Sequence, residues 1–129
     1  MSLVKLFSIT TKSISSPESQ LTDHEKTLIE TAMWASEPIP FDPMDVALHS
    51  AYANLNLTDE RYNFKMIHEY PLGGKPPMMT HVFENNLGKR ILAAKGAPEA
   101  LMNVCKLTNE EKQQIKNAIL TLTKEGYRV

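Results

Sequence analysis

The sequence predicts an α+β domain with a mainly antiparallel β-sheet flanked by helices. Three features predict it: two Thr-x-x-Glu capping boxes that precede apolar residues at helical spacing, two strand-like runs joined by an Asn-Asn-Leu-Gly turn, and helices grouped around that hairpin with no internal repeat. A chain of 129 residues with 42% hydrophobic content is sized for one ordinary domain that buries its core without metal or disulfide staples.

Taken in order, Met1-Ser2-Leu3 reads as residues left by an expression vector, since Ser8, Thr10, Thr11 and Lys12 interrupt the chain before any signal-like apolar run develops. Val4 to Ile9 reads as a first strand and Ser13 to Gln20, rich in Ser and Pro, as a loop. Residues 1–20 are therefore set apart from a main domain over residues 21–129. Thr22-Asp-His-Glu25 forms a capping box with Leu21 as a hydrophobic staple, and Leu28, Ile29, Ala32 and Met33 continue it as a helix over residues 23–36. Pro38 and Pro40 break the chain. Asp42 then N-caps a second helix, with Pro43 in its first position, Asp45 in its first turn, and Ala47, Leu48, Ala51, Tyr52 and Leu55 as the buried stripe.

Tyr62 to Tyr70 has strand character and is expected to stop at Pro71. Met78 to Glu84 and Lys89 to Ala94 are expected to pair as a hairpin through Asn85-Asn-Leu-Gly88, whose residues tolerate positive φ. Pro98 to Val104 suits a short helix, Thr108-Asn-Glu-Glu111 caps a longer one carrying Ile115, Ala118, Ile119 and Leu122, and Gly126 ends it. Tyr127-Arg-Val129 reads as the start of a further strand, which suggests a segment of a longer protein.

Several function classes are excluded at this level. The formal net charge is -1, so there is no basic field for a nucleic-acid duplex. The single Cys105 has no disulfide partner, fits a reducing compartment such as the cytoplasm, and reads as a packed thiol beside Leu101. No apolar run is long enough to cross a bilayer. Gly73-Gly-Lys75 is followed by Pro76 and Pro77, which lack N–H donors, so it is no Walker-type phosphate loop. His24, His49, His68 and His81 show no metal-ligand spacing and read as surface or half-buried residues; no Ser or Cys occupies a nucleophile elbow.

The most informative stretch is Arg90-Ile-Leu-Ala-Ala-Lys-Gly-Ala-Pro-Glu99, an apolar strand that runs into Lys95, Gly96 and a proline-started helix. Gly96 admits a close backbone turn, Pro98 suits a first helical position and Glu99 favours the positive end of the helix dipole, which leaves Lys95 on a rigid strand end. Together with Asp42-Pro-Met-Asp-Val-Ala-Leu48, this stretch resembles the nucleotide-binding (N) domain of P-type cation-transporting ATPases of the calcium-pump-like branch. The resemblance covers roughly residues 21–129.

The resemblance implies a fold of the α+β class and a cleft that holds ATP, with Mg²⁺ carried on the phosphates. It places Lys95 in the adenosine cleft, with Gly96 and Ala97 beside it, and Asp45 as acceptor for the adenine amino group. The segment Tyr70-Pro-Leu72 corresponds to one in which the family usually has an aromatic that stacks on adenine; here Leu72 offers only apolar contact, Pro77 stands where a lysine is usual, and Met79 completes that wall. Loss of the stack costs on the order of 1 kcal/mol, so weak nucleotide affinity is expected. Arg128 of Gly126-Tyr-Arg-Val129 matches an arginine that reaches ribose or phosphates. Tyr70 is a second candidate for the cleft, whereas Trp34 and Phe83 read as core or rim.

The family's phosphorylated aspartate lies in an Asp-Lys-Thr-Gly-Thr motif, a context that none of Asp23, Asp42, Asp45 and Asp59 has. The resemblance thus implies a domain that binds nucleotide without turnover and delivers the γ-phosphate to an aspartate elsewhere. Its partners would be the phosphorylation and actuator domains of a parent pump, on the cytoplasmic face of a membrane. The rival expectation is a protein–protein interaction module in which Lys95 is an ordinary surface residue.

Overall fold

A computed structural model describes the whole chain, Met1–Val129. Nine elements follow one another: β1 (Leu6–Ser8), β2 (Ser13–Ser15), α1 (Asp23–Trp34), α2 (Pro43–Ala53), β3 (Phe64–Gly73), β4 (Met78–Asn85), β5 (Arg90–Gly96), α3 (Pro98–Val104) and α4 (Asn109–Lys124). β1 and β2 form a small antiparallel ribbon; β3, β4 and β5 form an antiparallel sheet in that order. This is the α+β architecture expected from the sequence.

Local chemistry accounts for most boundaries. Both capping boxes are made: Thr22 and Glu25 exchange hydrogen bonds at the start of α1, and Thr108 and Glu111 do so at α4. Asp42 caps α2 by accepting from the Met44 N–H at 2.9 Å, with Pro43 in the first turn. Gly88 (φ +80) closes the β4–β5 hairpin and Gly126 (φ +87) follows the end of α4, two positions where an L side chain would be strained.

Four expectations are corrected. Ser13–Ser15 is a strand, β2, rather than loop, because Lys12 takes φ 56 and folds the chain back onto β1. β3 runs through Pro71 to Gly73: it is an edge strand, and its register shifts between Tyr70 and Gly73, so the missing Pro71 N–H breaks no ladder bond. Tyr127–Val129 forms no strand; the Tyr127 N–H instead bonds the Leu122 carbonyl at 3.0 Å. Cys105 is exposed at the end of α3 rather than packed.

The core forms between α1, α2, β1 and the sheet, from Leu6, Ile29, Met33, Trp34, Ala35, Tyr52, Phe83 and Ala93, with Leu3, Leu21 and Met66 packed against it. The Trp34 ring lies 4.9 Å from Phe83 and 5.5 Å from Phe64, tilted and edge-on respectively. Trp34 and Phe83 are thus core residues, as read from the sequence. In α2, Ala47 and Tyr52 are buried and Leu48 and Ala51 half-buried; Leu55, also half-buried, lies just past the end of the helix.

Candidate functional site

Directly opposed residues share a sheet face, so the register sorts the side chains beneath the helices. Phe83 faces Met66 and Ile91; two residues along β4, His81 faces Glu69 and Ala93; two further, Met79 faces Lys95. The face thus passes from apolar to polar toward the β5 end, and Lys95 is its last cation.

Asp45 meets it from above. As the third residue of α2 it is nearly fully buried (side chain 5% exposed), and Lys95, 25% exposed, donates a hydrogen bond from Nζ to Asp45 Oδ1. The Glu37 N–H donates to Asp45 Oδ2 at 3.2 Å. Burial alone would raise the Asp45 carboxyl, but the Lys95 hydrogen bond, the Glu37 amide and the Lys95 charge together hold it below the usual aspartate value. Asp45 and Lys95 therefore point at each other in direct contact, with no cavity between them.

One helical turn on, His49 Nε2 donates to the Glu37 carbonyl at 3.0 Å, which leaves Nδ1 to accept from Arg61 Nη1 at 3.1 Å. Desolvation pushes His49 below its ordinary value; the Glu37 carbonyl opposes this, and the Arg61 charge adds to it. Arg61 in turn is clamped by Asp59, with Nη2–Oδ2 at 2.8 Å. The link between α1 and α2 thus uses both backbone groups of Glu37 to set two side chains of α2.

The remaining expected site residues fall around this pair unevenly. Met79 is cross-strand neighbour to Lys95. Gly96 lies in extended backbone, where a Cβ would come within 2.5 Å of both Pro77 O and Met78 Cα, so it serves close strand packing rather than a turn. The Ala97 N–H bonds the Pro77 carbonyl at 2.9 Å, so that donor of the corner is engaged. Leu72 is 65% exposed in the irregular end of β3, and Tyr70 is exposed with its ring edge-on to His68 at 4.4 Å. Arg128 is exposed and borders, with Gly96, an apolar groove of about 770 Å³ between the N-terminal residues, α3 and α4. A second cleft of about 610 Å³, walled by Trp34, His49, Arg61 and Phe64, lies toward the opposite end of the sheet. Neither includes Asp45, Leu72, Met79 or Lys95 in its wall.

The sequence reading missed His81. It is not a surface or half-buried residue but fully enclosed, with Nδ1 3.2 Å from the Trp34 carbonyl and Nε2 3.0 Å from Glu69 Oε1. His49 is buried too. The strand alternation carries a signal for His81, since Met79, His81 and Phe83 share a phase and Phe83 is core.

Residues 39–129 match the family model described as P-type ATPase, cytoplasmic domain N. The chain belongs to that family. The match spans α2 through α4, hence both partners of the Asp45–Lys95 pair. No curated protein and no solved structure matches the chain. No helix of this N domain is long and apolar enough to cross a membrane.

Proposed function

We propose that this domain binds ATP at the surface around Lys95 and holds the adenosine while the γ-phosphate is delivered to an aspartate in another domain of a cation pump. The observation that carries the reading is the placement of Lys95: strand β5 and Asp45 fix its stem, and a quarter of the side chain stays exposed. An ammonium has three donors, and Asp45 Oδ1 takes one. The others can face phosphate oxygens, while Met79 supplies apolar surface beside it and Leu72 lies at the rim in place of a stacking ring. Contact between Asp45 and the adenine amino group requires this carboxylate to open toward solvent. Arg128, Gly96 and Ala97 complete the proposed site, and Mg²⁺ would arrive on the phosphates.

The finer reading extends to the parent molecule: a calcium-pump-like branch, phosphorylation and actuator domains as partners, and a position on the cytoplasmic face of the membrane. ATP hydrolysis there would be coupled to cation movement. The test is titration of isotope-labelled chain with ATP, AMP and GTP, followed by backbone amide shifts. Saturable changes centred on Lys95, Met79 and Gly96, larger for adenine than for guanine nucleotides and weakened by Lys95→Gln, are expected. An absence of localised change at millimolar ATP would refute the reading and leave the interaction module in its place.

A further inference from the structure

His81, fully enclosed between the sheet and α1, has no part in the nucleotide reading. Its Nδ1 lies 3.2 Å from the Trp34 carbonyl, which can only accept, so Nδ1 carries the hydrogen. The other ring nitrogen, Nε2, is the atom turned toward the carboxylates. That atom faces only acceptors: Glu69 Oε1 at 3.0 Å and Glu37 Oε1 at 4.0 Å. A ring nitrogen and two carboxylates thus converge on one point, where a single cation can be shared by all three.

We infer that Glu37, Glu69 and His81 form a binding site for a divalent transition-metal ion, of which Zn²⁺ is the best fit. The three donor atoms lie within 4.8 Å of one another. Tetrahedral bonds of about 2.0–2.2 Å place ligand atoms about 3.3–3.6 Å apart, and the observed separations of 3.0 and 4.0 Å bracket that edge. A histidine whose other ring nitrogen donates to a backbone carbonyl has the orientation of a metal ligand. One nitrogen with two carboxylates suits a borderline cation better than Mg²⁺ or Ca²⁺, which favour all-oxygen shells. Two carboxylates also neutralise the ion's charge.

The ligands come from three segments: His81 from β4, Glu69 from β3, and Glu37 from the link between α1 and α2. About a third of each glutamate side chain is exposed, which gives an ion an entry path and leaves room for water as a fourth ligand. Occupancy would tie the Glu37 segment, whose backbone holds Asp45 and His49, to the sheet.

The decisive experiment adds ZnCl₂ to ¹⁵N-labelled full chain without nucleotide and follows the imidazole nitrogens of His81. The expected result is saturation at one equivalent, a large displacement of Nε2 with Nδ1 still protonated, and affinity lower by at least about tenfold in Glu69→Gln and in Glu37→Gln, since disturbing even the surroundings of a metal ligand has that effect. Two results would overturn the site: an Nε2 that carries a proton and is unmoved at millimolar Zn²⁺, or Zn²⁺ held equally well by both variants, which would place it on exposed histidines such as His68. Should Glu69→Gln alter the fold, Glu37→Gln decides, because Glu37 makes no close contact with His81. Nucleotide is absent throughout, so the outcome is separate from that of the ATP titration.

Discussion

Replacing Lys95 by Met removes the ammonium while keeping a long apolar stem, and strands the Asp45 carboxylate at 5% side-chain exposure. Breaking a buried ion pair from one side costs about 3–5 kcal/mol when the partner is left unpaired. Asp45 keeps the Glu37 N–H at 3.2 Å, and Lys95 is a quarter exposed, so the loss should fall nearer that of one charged hydrogen bond, about 2–3 kcal/mol. With a urea m-value of about 2 kcal/mol/M, the unfolding midpoint should drop by about 1–1.5 M. Asp45→Asn should cost less, about 1 kcal/mol, because Lys95 can turn to water and the amide can still accept from Glu37. The two losses should not add: contacting residues couple by about 0.5–3 kcal/mol. Acid gives a second check. A carboxyl held below its ordinary value stabilises the fold above the unfolded-state value, near 3.8, and loses that contribution as pH falls through the folded-state value. The deficit of Lys95→Met should therefore shrink on acidification below about pH 4. A midpoint shift under about 0.2 M at neutral pH, or additive single losses, would refute the pairing.

His49 makes a pH prediction of opposite range. Its folded-state value is lowered from 6.5, with Arg61, Asp59 and Asp45 as the charges facing it, so stability is full above 6.5 and declines as pH falls and the unfolded chain takes up protons first. His49→Gln should flatten the slope of chemical stability between pH 7 and 5, measured against wild type. Gly96→Ala drives a Cβ to within 2.5 Å of backbone atoms of Pro77 and Met78, neither of which can swing aside, and should cost about 1–3 kcal/mol in thermal or urea unfolding. Thr22→Ala removes the acceptor for the Glu25 N–H at 3.2 Å and should lower stability by about 1 kcal/mol by the same assays.

Elements whose signals are local were legible in the sequence. The capping boxes, the Asp42–Pro43 helix start and the Asn85–Gly88 turn each depend on residues within four positions, and each forms as read. β1 falls inside the strand read over Val4 to Ile9, but β2 was not legible, because a three-residue strand carries no alternation to count and Lys12 is not a residue that announces a positive φ. Pro71 misled for a related reason: proline ends a central strand, and only the register identifies β3 as an edge with a shift there. At the site, the resemblance assigned Lys95 and Asp45 to one cleft on opposite parts of a nucleotide, and did not foretell their direct contact. Their contact joins positions 50 residues apart and exists because the fold brings the first turn of α2 to the end of β5, a fact of topology alone. The burial of His81 is carried only by its strand phase with Phe83, and its lack of metal-ligand spacing in the sequence gives no sign that Glu37 and Glu69 converge on it.

The pair constrains how a nucleotide can use it. If phosphate displaced Asp45 from Lys95, the carboxylate would be left buried with the Glu37 amide as its remaining partner, at a cost of about 2–3 kcal/mol, or roughly 30- to 150-fold in affinity. If phosphate instead shares the ammonium through its free N–H groups, no such cost arises. A third geometry, in which Asp45 opens to accept the adenine amino group, carries the displacement cost and recovers part of it through base discrimination. Asp45→Asn separates the three. It should leave ATP affinity within about threefold if the donor is shared, raise it if displacement is the rule, and lower it with loss of preference over GTP if adenine is contacted. The low exposure of Asp45 favours the shared donor. A wild-type preference for ATP over GTP that is unchanged in Asp45→Asn would then show that base selection resides elsewhere in the site, along the Met79 and Leu72 wall.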